Sequence, residues 1–201
     1  MLRLLSIKAE GFKNLEIKTP LEFPAEGNIL IMGLNESGKS TLFEAIYFAL
    51  TGQLLVKHKK QSLVDSINFL KNKALVELRF IKNNTLCTIH REVYRRGDGA
   101  TDTVEFQICY DDHVEVYKQP NFKKQEIQDF IEKFVNFDGS ILLNSCFVQQ
   151  KDLDGFINTP KRKKDEIIHK LLGLKNIATL RNQYNEEIKT LEILSEYFNL
   201  K

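Results

Sequence analysis

Nine consecutive residues, Gly33-Leu34-Asn35-Glu36-Ser37-Gly38-Lys39-Ser40-Thr41, have the types and spacing of a G-x-x-x-x-G-K-S/T loop. Small residues let a backbone pass close to a polyanion, and successive N–H groups at the start of a helix hold it at the positive end of the helix dipole. Gly33 and Gly38 permit the tight path, Lys39 reaches the outer phosphates as a point charge, and the Ser40 hydroxyl is placed to ligate Mg²⁺. Asn35, Glu36, Ser37 and Thr41 complete the cradle. The chemistry this predicts is the binding of a nucleoside triphosphate.

A loop of this kind needs a strand before it and a helix after it. Asn28-Ile29-Leu30-Ile31-Met32 is a short continuous apolar run, which predicts a buried parallel strand. Lys39 to Leu50, with Leu42, Phe43, Ala45, Ile46 and Ala49, predicts a buried helix stopped near Gly52.

The flanking chain supplies more strands. Leu2 to Ala9 alternates as a first strand, Gly11 to Leu15 reads as a turn, and Glu16 to Leu21 as a second strand. Gln53 to Lys73 is polar and irregular, with a basic knot at Lys57-His58-Lys59-Lys60, and predicts a surface excursion. Leu75 to Ile81, Leu86 to Val93, Val104 to Tyr110 and His113 to Tyr117 alternate with period two between turn-forming clusters, which predicts an antiparallel meander. A helix is expected at Lys123 to Phe134, another near Ser140 to Asn144, and a short strand at Cys146-Phe147-Val148.

The last third changes character. Thr159 as N-cap and Pro160 at the first helical position predict a helix through Ile167, Ile168, Leu171 and Leu172 to a C-cap at Gly173. Ile177, Leu180, Tyr184, Leu191, Leu194 and Phe198 then follow steps of three and four, with Glu187 on the same seam. A coiled coil and an amphipathic helix packed on its own domain both satisfy that spacing. The pattern reaches Lys201 without a cap or breaker, which favours the coiled coil and the expectation that the chain is one piece of a larger whole. Two regions are therefore expected, residues 1–158 and residues 159–201.

Composition narrows the classes. The 201 residues carry 29 basic and 27 acidic side chains, a net charge of +2, so a nucleic-acid surface would have to be local. Cys87, Cys109 and Cys146 are scattered and odd in number, which suggests neither a disulfide framework nor a zinc site. No apolar stretch is long enough to span a bilayer, and Met1 to Lys8 alternates like a strand, unlike a secretory signal. An intracellular protein is the expectation.

Three motifs together resemble a known family: the opening Gly11-Phe12-Lys13-Asn14-Leu15, the loop Gly33 to Ile46, and the distal Phe147-Val148-Gln149-Gln150-Lys151-Asp152-Leu153-Asp154. The chain is similar to the N-terminal half of an SMC-like ABC-type ATPase, nearest the double-strand-break repair branch, Rad-fifty and SbcC. Leu171-Leu172-Gly173-Leu174 supports that branch. Other SMC, RecF or RecN-like coiled-coil ATPases of chromosome maintenance are the alternative. The implied fold class is α/β: a P-loop NTPase lobe with a mixed sheet and an antiparallel β meander, followed by a coiled-coil stub.

The resemblance also implies roles. Gln150 matches the Q-loop glutamine, a catalytic residue with Lys39 and a Mg²⁺ ligand with Ser40, although the adjacent Gln149 leaves a one-residue shift open. Lys13 and Asn14 match an arm that approaches the nucleotide. Glu36 departs from the usual loop by placing a carboxylate near the phosphates. The acidic pair and the serine-glycine signature that hydrolysis needs are not found. Phe106 to Asp112 imitates the former, but Asp111-Asp112-His113 is better read as a turn.

The implied cofactors are ATP and Mg²⁺. The implied partners are a C-terminal ATPase half, a second head engaged through ATP, a nuclease near the coiled-coil base, and double-stranded DNA. Lys57, Lys59, Lys60, Arg95, Arg96 and Lys161 to Lys164 are candidate DNA or nuclease contacts, or merely solvated faces. The implied location is the cytoplasm, in association with the nucleoid, in a prokaryote, or the nucleus in a eukaryote. Two rival enzymes fit less well. A small P-loop kinase would place an arginine-rich lid where the meander stands, and a GTPase would need an Asn-Lys-x-Asp reader, which Asn72-Lys73-Ala74-Leu75 does not supply. A structural coiled-coil protein with a vestigial site is the third alternative.

Overall fold

Strict alternation from Lys73 onward produces long strands whose even and odd residues take opposite faces. In the computed structural model, which describes residues 2–55 and 62–136 together with Tyr184 and Ile188, these are β3 (Lys73–Lys82), β4 (Thr85–Arg96), β5 (Gly99–Cys109) and β6 (Val114–Lys118). They follow β1 (Leu2–Phe12) and β2 (Leu15–Glu22) into one six-stranded sheet of order β2-β1-β3-β4-β5-β6, with every neighbouring pair antiparallel. The meander and the opening hairpin are therefore as the alternation predicts. Asn83 and Asn84, both left-handed at φ 50° and 65°, close the β3–β4 hairpin as a two-residue turn of matching twist.

One face of the sheet is apolar. Ile7, Val76, Leu78, Phe80, Ile89 and Phe106 are all buried there, covered by α1 (Lys39–Thr51) and α2 (Lys124–Val135). Helix α1 has the predicted span and ends at Gly52, whose N–H donates to Phe48 O at 2.8 Å. Helix α2 begins where Glu126 Oε2 accepts the Lys123 N–H at 2.7 Å.

A guanidinium sits inside this apolar layer. Arg91, only 1% exposed, points inward from β4 and donates through Nε to Ala49 O at 2.8 Å. Its Nη2 donates to Gln128 Oε1 of α2, and Gln128 Nε2 donates in turn to Leu50 O at 3.2 Å. Burial pushes the Arg91 guanidinium down to about 10, with the carboxylates of Asp102 and Glu132 partly offsetting the loss of water. The last carbonyls of α1, left without helical partners, are thus answered by side chains from β4 and α2.

Two expectations are corrected. Asn28–Met32 does not form the predicted buried parallel strand: it lies in irregular chain, with Ile29 52%, Leu30 80% and Met32 80% exposed. An apolar run calls for burial without naming the neighbour, and among the described residues no strand pairs with it. The segment 53–73 is more than a polar surface excursion. It contains a 3₁₀ turn at Leu63–Ser66, Ser66 and Ile67 are buried, and Ile67 bridges Phe12.

The chain forms two compact units, Met1–Gly139 and Ser140–Lys201. The second is described only at Tyr184 and Ile188, both helical and exposed at 61% and 51%. The expectations for residues 137–183, among them Gln149, Gln150, Lys161 to Lys164 and the boundary at 158/159, lie outside the described residues, as do those for Lys57 to Lys60 and the rest of the heptad seam.

Candidate nucleotide site

Helix α1 begins at Lys39, directly after Gly38, which caps it in the left-handed region at φ 91°, ψ 8°. A Cβ at position 38 would stand 3.0 Å from Leu15 Cδ2, and one at Gly33 would stand 2.7 Å from Ser37 Oγ. Gly38 must therefore be glycine if the loop is to keep its left-handed path, whereas a Cβ at Gly33 would require the Ser37 hydroxyl to turn aside. The first helical bond runs from Leu42 N–H to Gly38 O at 2.9 Å, so the N–H groups of the preceding turn have no intrahelical partner and can receive an anion.

The side chains around the loop gather at the start of α1. Lys39 Nζ donates to Gly33 O at 2.8 Å and to Leu34 O at 2.5 Å, two neutral acceptors within the same loop. Ser40 is exposed on the first turn of α1, and Asn35, Glu36 and Ser37 form the exposed crest of the loop. Glu36 adopts φ 65°, and its carbonyl accepts the Asn14 amide at 2.7 Å. That amide also lies against Gly38, so the β1–β2 turn reaches the loop.

Lys13 sits differently from Asn14. Its ammonium donates to both carboxylate oxygens of Glu44 at 2.6 Å each, and Glu44 is 6% exposed on α1. Lys13 N–H donates to Ser66 O at 2.7 Å, and Lys13 O accepts from Asn68 Nδ2 at 2.6 Å. Sequence reading missed Ser66 and Asn68 and gave Glu44 no role beyond its place in the family-like run Gly33 to Ile46. Glu44 left a trace as the single carboxylate inside an otherwise apolar helix face.

The cradle fits a magnesium-bound triphosphate. It has two glycine positions that a Cβ would fill, an ammonium on replaceable neutral acceptors, and an exposed hydroxyl one residue into the helix. Lys39 would hold the outer phosphates, the loop amides the inner ones, and Ser40 the metal.

A family model described as an AAA domain matches residues 6–201. The chain belongs to this family. The AAA domain is 26% identical to the DNA double-strand break repair Rad50 ATPase of Methanocaldococcus jannaschii, over 94% of this chain and 17% of that protein. It is 27% identical to the Rad50 ATPase of Methanococcus maripaludis, over 93% of this chain and 17% of the relative. Among solved structures, a chain from a study titled "Structural biochemistry of ATP-driven dimerization and DNA stimulated activation of SMC ATPases" superposes with a TM-score of 0.61 at 22% identity, covering 84% of this chain and 99% of its own.

The chain thus belongs to the AAA-domain family, is similar to Rad50-type ATPases, and shares the P-loop NTPase fold of an SMC-type ATPase structure. It spans about one-sixth of the length of these curated relatives. No helix among its described residues is long and apolar enough to cross a membrane.

Proposed function

We propose that this lobe binds ATP with Mg²⁺ and works as the N-terminal half of a DNA double-strand-break repair ATPase head. The observation that carries the reading is the convergence of left-handed Gly38, Lys39 on neutral carbonyls, exposed Ser40 and the Asn14 amide at the start of one buried helix. Asn35, Glu36, Ser37 and Thr41 line the same turn, and Lys13 shapes the arm. Gln150 is proposed as the catalytic glutamine and as a second Mg²⁺ ligand beside Ser40. When bound, the metal supplies a Lewis acid for the β and γ oxygens.

Hydrolysis needs more than this lobe. No run of four apolar residues ending in Asp-Glu and no serine-glycine signature loop occurs in the 201 residues. We assign those groups to a C-terminal half, and propose that two heads engage across ATP and that their engagement controls a nuclease at DNA ends. The exposed segment Ile29 to Met32 supports a missing partner: with Leu21 and Leu42 it lines a groove of about 310 Å³ that water does not favour. Arg95 and Arg96, at the tip of the β4–β5 hairpin, are proposed DNA-backbone contacts.

The test mixes this chain with a C-terminal half of a Rad50-type ATPase and measures ATP-dependent dimerisation and hydrolysis. The reading expects both from the mixture and neither from the lobe alone. If hydrolysis appears in the mixture but is untouched by Gln150→Ala, the glutamine assignment falls. If ATP binding is absent in the wild type, the reading as a whole falls.

A further inference from the structure

The two ammonium groups beside the loop have unequal partners, and this bears on what the arm does. Lys39 rests on two neutral carbonyls, which it can leave for phosphate at little cost. Lys13 is bound by both oxygens of a carboxylate, and its side chain is only 22% exposed against 7% for that of Glu44. Withdrawing Lys13 toward a phosphate would strand the buried Glu44 charge, a loss that one exposed phosphate contact does not repay.

Lys13 is also held at its main chain. Its N–H and C=O are bonded to Ser66 and Asn68, and its backbone occupies the left-handed region at φ 51°. Glu44 lies four residues after Ser40, so the carboxylate grips the arm one helical turn beyond the hydroxyl that would bind the metal. Asn14, the next residue, places its amide on Glu36 O and against Gly38.

We infer that Lys13 is a positioning residue and not a phosphate ligand. The Lys13–Glu44 pair is a latch that fastens the β1–β2 turn to the phosphate-loop helix, so that Asn14 carries the arm's contact with the loop and nucleotide. This rests on the ATP-binding reading above and deepens it. Because the pair acts by mutual attraction, its two charges can be exchanged. A direct phosphate ligand cannot be replaced by a carboxylate.

The experiment measures Mg·ATP affinity of the whole 201-residue chain by calorimetry, with circular dichroism to verify folding. Lys13→Glu and Glu44→Lys are each expected to weaken binding by about tenfold, and the double exchange to recover to within about threefold of wild type. If the folded double exchange stays as weak as Lys13→Glu, Lys13 meets phosphate directly and the latch is wrong. Should the exchanged pair not fold, the apolar pair Lys13→Met with Glu44→Met decides. Affinity within about threefold of wild type supports the latch, and a loss of about tenfold or more overturns it. Lys39→Ala separates the underlying reading: if it binds ATP as well as wild type does, the site itself is misassigned and the latch falls with it.

Discussion

Arg91 Nε and the carbonyl oxygen of Ala49 are 2.8 Å apart, which joins the middle of the meander to the last turn of the phosphate-loop helix. The guanidinium lies 5.9 Å from the centre of the Phe48 ring and shares Gln128 with Leu50 O. One side chain thus serves three elements. A cation is favoured at this end of α1, where carbonyl dipoles accumulate, and burial strengthens the attraction while raising the cost of losing it.

Arg91→Leu should therefore destabilise the lobe by about 3–5 kcal/mol, because it leaves the buried Ala49 O and Gln128 Oε1 without their donor. Urea unfolding followed by circular dichroism measures this. A loss below about 1 kcal/mol would show the network to be dispensable.

Lys39→Ala should do the opposite, sparing stability and abolishing binding. The Lys39 ammonium touches only two loop carbonyls, so the unfolding midpoint should move by no more than an ordinary surface change, about 0.5 kcal/mol. Mg·ATP affinity should fall by at least about tenfold, read by calorimetry on the same preparation.

Gly38→Ala tests the backbone. With φ at 91° and Leu15 Cδ2 only 3.0 Å from the added methyl group, the substitution should cost about 1–3 kcal/mol and distort the loop enough to weaken ATP binding. A thermal scan and a binding isotherm together check it. An unchanged isotherm would mean that the cradle does not depend on this turn.

Cys87 gives a prediction at alkaline pH. Burial pushes its thiol up to about 12 from an ordinary value of 9.0. The unfolded chain therefore releases this proton at a lower pH than the native one, and the stability so contributed is complete below about 9 and is lost as pH rises toward 12. Cys87→Val should flatten the part of the stability decline that begins near pH 9, measured by urea unfolding across a pH series. In the native wild type, Cys87 should also resist alkylation by iodoacetamide, read by mass spectrometry, until denaturant exposes it.

Much of this was legible in the chain because the relevant physics is local. A period of two in the meander specifies strands and their faces, the glycine and lysine spacing specifies an anion loop, and Gly52 marks the end of α1. Leu15 to Leu21, expected as turn and strand, follows the same local logic. Each of these depends on neighbours a few residues away.

What the tertiary structure decided is which distant groups meet. Nothing near Lys13 in sequence announces that its ammonium belongs to Glu44, 31 positions on, or that Ser66 and Asn68 will hold its main chain. Arg91 shares the parity of Cys87, Ile89 and Val93, so alternation puts it on the buried face of β4, but only the folded sheet places it beneath the end of α1 with Ala49 O and Gln128 as partners. Asn28–Met32 makes the same point from the other side: its composition demanded burial, yet only a partner strand could satisfy the demand, and the described residues supply none. Pattern determines which surface of an element avoids water. Charge pairing and sheet membership are settled only when segments far apart in the chain are brought together, because those interactions act through space and carry no local period.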